Sequence, residues 1–203
     1  MSIVDSGKNS GSRYRNRDPS AFTRIGVNMK IFISLLVLIG SVIASAAEIT
    51  LNQKPPVVEL SGTAGGRVDG SPWSSTELTG VVHILMYVDP DEVKENEHVE
   101  VALKEAAFPA DRLKSIAMIN LGASWKPNFV IDTMLKKKQK KYPKTIYVRD
   151  ADKLLVNAWG LLDQSYHVLA FDPDGRLIFS KGGALSGDEL DTLIEAIRSN
   201  ISD

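Results

Sequence analysis

Residues 81–88 read Val-Val-His-Ile-Leu-Met-Tyr-Val, an apolar run interrupted only by His83 and rich in β-branched side chains. A strand that is apolar on both sides of its pleat has to be covered on both faces, which is the position of a central strand in a parallel sheet. Helices must therefore pack on the sheet. The residues that follow, Asp89-Pro90-Asp91-Glu92, read as a helix start: Asp89 as N-cap, Pro90 at the first helical position, Glu92 completing a capping box. Val99, Ala102, Leu103 and Ala106 supply the inward stripe of this helix, which ends near Pro109.

The alternation continues. Leu113 to Leu121 is a second strand, and Pro127 to about Lys141 a second helix with Val130, Ile131, Met134 and Leu135 inward. Tyr142-Pro143 stops that helix, Thr145 to Val148 is a short strand, and Leu154 to Trp159 reads as another. His167 to Phe171 and Arg176 to Ser180 flank Asp172-Pro173-Asp174-Gly175, a hairpin loop with Pro preset for the turn and Gly free to take positive φ. Ser186-Gly187-Asp188-Glu189 caps a last helix whose Leu190, Leu193, Ile194 and Ile197 face the sheet. Ahead of all this, Val57 to Leu60 is extended and Ser61 to Gly66 turns the chain back toward Arg67-Val68, which predicts an N-terminal hairpin. No Gly-Lys-Ser/Thr follows those glycines, so they form a turn and not a phosphate cradle.

Upstream, Met29-Lys30, the apolar run Ile31 to Ile43 and Ala44-Ser45-Ala46-Ala47 compose a secretory signal at 29–47, too short in its apolar core to span comfortably. A mature chain starting near Glu48 is expected, as one domain over residues 48–203. Residues 1–28, polar and without apolar period, read as a disordered extension or as lying ahead of the true start. The alternative is an uncleaved signal that anchors the domain in the inner membrane, with Arg13, Arg15, Arg17, Arg24 and Lys30 held inside. In both cases the domain is exported. Six basic and two acidic residues precede residue 48, so the formal net charge of −1 becomes −5 for the remainder, the wrong sign for a general nucleic-acid binder. Cysteine is absent altogether, which removes disulfides and every mechanism that needs a thiol on this chain.

A β-α-β-α core followed by a hairpin and a closing helix is the thioredoxin-type order. The residues Phe129-Val130, the Lys136 to Lys141 segment ending in Tyr142-Pro143, Ala158-Trp159, the Asp172 to Gly175 turn and Gly183-Ala184-Leu185-Ser186 carry a closer match. The chain from about residue 48 on resembles the YtfJ family of bacterial periplasmic proteins, which pair a signal peptide with this domain and have no established activity. That resemblance implies an α/β, thioredoxin-like fold, a central mixed β-sheet flanked by helices with an N-terminal β-hairpin, in the periplasm.

The resemblance also implies where chemistry would be. In redox thioredoxins the attacking cysteine pair would fall around Asp91 and Lys94, just inside the first helix, and the facing loop carries a cis-proline. Here that loop reads Gln164-Ser165-Tyr166 and has no proline. A helix N-terminus lowers a thiol's pKa because its amides favour negative charge; here it would stabilise Asp91 and Glu92. What remains is a binding edge at the carboxyl ends of the strands, composed of Tyr87, Asp89, Asp91, Glu92, Ser165 and Tyr166 with Trp125 nearby. Tyr and Trp at such an edge suit a protein or peptide partner from the envelope. An enzyme using Asp91, Glu92 and Tyr166 as acid-base groups is the alternative.

Lys136, Lys137, Lys138, Lys140 and Lys141 close the second helix, where they complement its dipole, and all but Lys138 fit its solvent side. They suit an anionic partner: phospholipid headgroups, envelope polyanions, or an acidic face such as the first helix of a second copy. No metal or cofactor is expected, since His83, His98 and His167 lie on different elements and Asp172-x-Asp174-Gly175 lacks the rest of a calcium loop. No Gly-x-Ser-x-Gly elbow is present. His83 reads as a core residue with one satisfied nitrogen.

Overall fold

In the computed structural model, which describes residues 48–201, the chain runs β1 (Glu59–Leu60), β2 (Gly65–Arg67), β3 (Trp73–Ser74), β4 (Val82–Val88), α1 (Glu97–Glu105), β5 (Leu113–Asn120), α2 (Asn128–Lys141), β6 (Thr145–Asp150), α3 (Leu154–Trp159), β7 (Tyr166–Phe171), β8 (Leu177–Gly182) and α4 (Gly187–Ile201). The main sheet has the order β2-β6-β5-β4-β7-β8. β4, β5 and β6 are parallel, while β2, β7 and β8 run against their neighbours, so the sheet is mixed. The apolar run of 81–88 forms the central strand it predicts, with every residue of β4 buried.

Alternation along β4 divides the core between two faces. Val82, Ile84, Met86 and Val88 meet Val99 of α1, Ile131 and Leu135 of α2, and Leu193 and Ile197 of α4. Leu85 and Tyr87 point the other way, onto Leu155 and Trp159 of α3, Trp73 of β3, and Val58 and Leu60. Trp159 tilts onto Phe171 at a centroid distance of 5.9 Å and donates its indole N–H to Pro56 O at 2.8 Å. The β7–β8 hairpin turns as its sequence predicts: Asp172 Oδ1 accepts the amides of Asp174 and Arg176 at 2.9 and 2.8 Å. Gly175 sits at φ 82°, where a Cβ would lie 2.8 Å from Leu78 O. Ser186 and Glu189 form the expected reciprocal cap of α4, at 2.8 and 3.3 Å.

Four local expectations are corrected. The N-terminal antiparallel pair is β1 with β3, through Leu60 and Trp73, and not Val57–Leu60 with Arg67-Val68. Gly65–Arg67 instead crosses to β6 as an edge strand; Gly65 lies at φ 141° with its Cβ position 2.0 Å from Arg149 O, so only glycine admits the pairing. Leu154 to Trp159 is a helix and not a strand, because buried Asp150 accepts the backbone amides of Leu154 and Leu155 at 2.9 and 3.0 Å. α1 begins at Glu97 and not at Pro90: Asp89 Oδ1 bonds Asp91 N at 2.8 Å in a local turn, and Asn96 occupies the cap position. Met134, expected inward, is exposed on α2. The signal expected at 29–47 and the extension at 1–28 lie outside the described residues.

Candidate functional site

The segment 89–96 links β4 to α1, and its neighbours tie it down at both ends. Asp89 is buried; its amide donates to Ser165 O at 3.0 Å, which joins the loop after β4 to the loop before β7. Glu95 Oε2 accepts the Tyr166 amide at 3.2 Å. Asn96, fully buried, donates to Gly183 O at 3.0 Å and accepts Leu185 N at 2.9 Å, while His98 Nε2–H donates to Leu185 O at 3.0 Å. Glu95 and His98, a spacing that resembles a metalloprotease fragment, are thus fasteners: Glu95 to the start of β7 and His98 to the β8–α4 connection. Among the described residues no group of three His, Asp or Glu side chains converges to hold a metal.

Tyr87 and Tyr166, expected as partner anchors on this edge, are instead core residues at 0% and 2% exposure. Tyr87 donates its hydroxyl to Asp150 Oδ2 at 3.0 Å, and burial together with that carboxylate pushes its pKa far above the usual phenol range. Burial raises Tyr166 similarly. Both strand ends are sealed by loops, so neither ring is within reach of a partner.

Beneath the edge lies a polar group that the sequence reading missed. Asn120 and Asp150 end β5 and β6 as register partners. Asn120 Nδ2 donates to Asp163 Oδ1 at 2.9 Å, and Lys153 Nζ donates to Asp163 Oδ2 at 2.6 Å; that bond from Lys153 holds the Asp163 carboxyl below its usual range. Lys153 itself and Gln164, next to Asp163, hold the left-handed conformation at φ 55° and 52°. The available signal was position: Asn120 interrupts apolar sequence at the carboxyl end of its strand, whereas Asp150 lies in a charged stretch, Arg149-Asp150-Ala151-Asp152-Lys153, and gave no such signal.

The accessible part of the edge is different from the expected one. Trp125, in the loop after β5, is 83% exposed, and Phe129 in the first turn of α2 is 72% exposed. Val93 is also exposed. Asp91 pairs with Lys126 and accepts a hydrogen bond from Ser124 Oγ at 3.3 Å, so the 89–96 loop and the Trp125 loop are tied together. Lys126 Nζ stands 5.7 Å from the centre of the Trp125 ring. Glu92 is exposed, and Ser165 is half-buried with its hydroxyl turned to Tyr166 O at 3.4 Å. Asp91, Glu92 and Trp125 therefore share the outer surface, whereas Tyr87, Asp89 and Tyr166 lie beneath it. Lys136, Lys137, Lys138, Lys140 and Lys141 are all exposed, Lys138 included.

Solved structures of thioredoxin-like proteins superpose on this arrangement. A putative thiol:disulfide interchange protein DsbE from Chlorobium tepidum matches with a TM-score of 0.56 at 16% identity, over 76% of this chain and 100% of its own. A putative thioredoxin from Neisseria meningitidis matches with a TM-score of 0.51 at 16% identity, over 73% and 93%. At these identities the likeness is one of fold. Two curated sequences align over nearly their whole lengths: Uncharacterized protein YtfJ of Escherichia coli K12, 23% identical over 85% of this chain and 98% of that one, and an uncharacterized protein of Haemophilus influenzae, 26% identical over 80% and 95%. The model of the bacterial protein family of unknown function YtfJ_HI0045 matches residues 49–200. With a thioredoxin-like fold and a family model matched over residues 49–200, the chain belongs to the YtfJ_HI0045 family.

Proposed function

We propose that this protein is a non-covalent binding module of the periplasm that captures a protein or peptide at the carboxyl-end edge of its sheet. The observation that carries the reading is Trp125, 83% exposed on a loop that Lys126 and Ser124 fasten to Asp91. A large aromatic ring presented to solvent by an ordered loop loses little entropy on docking and buries much apolar area, which is the profile of an interface anchor. Phe129 and Val93 are exposed on the segments that follow Trp125 and Asp91 in the chain and add apolar surface, and Glu92 beside Val93 adds a negative charge. Ser165 lies further back, at the joint between the two loops. The chain has no cysteine with which to attack a disulfide, so shape and charge are its available tools. The acid-base enzyme reading has weaker support, since Tyr166 is buried and Asp91 is committed to Lys126.

Site-specific photo-crosslinking in the intact cell envelope tests the proposal. A photoreactive residue at Phe129 should give a discrete adduct that the same residue at Thr192 on α4 does not give. Trp125→Ala should reduce that adduct roughly tenfold, the scale expected for loss of an interface anchor. An adduct that forms equally from Thr192, or that survives Trp125→Ala unchanged, would refute it. The mass of the envelope protein tests export in parallel: a processed N-terminus near Glu48 is expected, and an intact N-terminus in the cytosol would contradict it.

A further inference from the structure

α2 has two unlike sides. Ile131 and Leu135 are buried against the sheet, and Gln139, one turn on, is held there by bonds to Thr145 O at 2.9 Å and from Tyr147 N at 3.3 Å. An α-helix advances about 100° per residue. With 131, 135 and 139 inward, Lys137 and Lys140 fall opposite them, Lys136 and Lys141 on the two outer flanks, and Lys138 at the margin of the inward side. All five are exposed, as is Lys144 on the turn that follows. Asp132 is the one acidic side chain of α2, and Arg149 occupies it at 3.2 Å. Among the described residues none of the six lysines makes an ion pair. Met134 and Tyr142 stand exposed on the same stretch, with Lys141 Nζ 5.1 Å from the Tyr142 ring.

We infer that this ridge is a docking surface for an anionic lipid bilayer. Its lysines stand on a convex helix end with no acceptor to hold them in one geometry. Such mobile cations gain little from a single point partner, whereas each is drawn by the smeared potential of a charged leaflet while keeping its rotamer freedom. Tyr142 and Met134 place a phenol and a flexible thioether among the ammonium groups, a composition suited to headgroup depth. The remainder after residue 47 carries a formal charge of −5, so these six lysines stand out against a net negative background. At about 1.5 Å per residue, Lys136 to Lys141 lie about 12–20 Å along α2 from its first residue, with Trp125 ahead of that residue in the preceding loop.

The absence of cysteine makes a clean test possible in the full chain. Met134→Cys carries a polarity-sensitive fluorophore, and Thr192→Cys on α4 serves as the control site. Any membrane attachment through the apolar segment 31–43 then acts on all samples alike, and the probe reports the ridge alone. With phosphatidylglycerol vesicles the Met134 probe should brighten about threefold, with no change on phosphatidylcholine, and the gain should vanish at about 0.5 M salt. The combined Lys136→Gln, Lys137→Gln, Lys140→Gln and Lys141→Gln variant should lose it, whereas Trp125→Ala should keep it. Equal signals on the two lipids, or a signal indifferent to salt or to the glutamines, overturns the inference. So does suppression by millimolar inorganic phosphate at fixed ionic strength, which would assign the ridge to a discrete anion. Since Trp125→Ala affects only the crosslink and the glutamines only the vesicle response, the two proposals fail separately.

Discussion

His167 is buried on β7, with Nε2 sharing a 3.0 Å hydrogen bond with Ser180 Oγ and Nδ1 without a hydrogen-bond partner. Burial lowers its pKa to about 4. Above an unfolded-state value of about 6.5 both folded and unfolded histidines are neutral, so pH has no leverage there. As pH falls from about 6.5 toward 4 the unfolded chain binds a proton that the folded one refuses, and stability declines by on the order of 3 kcal/mol. Urea denaturation between pH 7.5 and 4 should show this slope, and His167→Gln should flatten it; an unchanged slope in that variant would remove His167 as the cause. His83 is depressed in the same direction, also by burial, and is the core residue with one satisfied nitrogen that its setting in an apolar run predicts: Nδ1–H donates to Val81 O at 2.9 Å. Tyr87 and Tyr166 were not legible in the same way. In a strand apolar on both faces, alternation carries no inside or outside, and the Tyr87 hydroxyl finds its acceptor 63 residues away at Asp150, a separation that no local pattern encodes.

Elements whose own sequence supplies their caps were readable, and those capped by distant residues were not. α4 opens on Ser186 and Glu189 within one turn, and the β7–β8 turn is closed by Asp172 within itself. α3 is six residues long and mostly apolar, short enough to read equally as strand; what makes it a helix is a carboxylate four residues upstream, behind a left-handed Lys153. The start of α1 failed for the opposite reason. Asp89-Pro90-Asp91-Glu92 satisfies the local rule for a helix start, but Glu95, Asn96 and His98 fasten the following residues to Tyr166, Gly183 and Leu185, and tertiary bonds outweigh a capping box worth about 1 kcal/mol. Asp150 deserves the sharper test, since it accepts from Tyr87, Leu154 and Leu155 together. Asp150→Ala should cost about 3–5 kcal/mol by stranding two buried donors and one half-buried one, and Asp150→Asn less, as it keeps one acceptor oxygen. A loss under about 1 kcal/mol for the alanine variant, read from the denaturation midpoint, would mean that water replaces the carboxylate.

At the scale of the whole domain, one sheet serves two cores. Ile84 and Met86 belong to the face covered by α1, α2 and α4, and Leu85 and Tyr87, their neighbours along β4, to the face covered by α3 and the β1–β3 pair. Neither face can be lost alone, because melting β4 exposes both sides of a strand with every residue buried. Unfolding should therefore be a single cooperative event. The protein carries its own reporters: Trp73 and Trp159 are buried on the α3 face, whereas α1, α2 and α4, of 9, 14 and 15 residues, lie on the other and dominate far-UV dichroism. Tryptophan fluorescence and dichroism at 222 nm should give coincident urea transitions. Leu155→Ala, a cavity on the tryptophan face only, should move both midpoints together by the equivalent of about 3 kcal/mol. Were fluorescence to shift while the helical signal stayed in place, the two layers would be separable units. The Trp125 edge, whose tethers run from β4 to β5 and β7, would then belong to whichever unit retained the central strand.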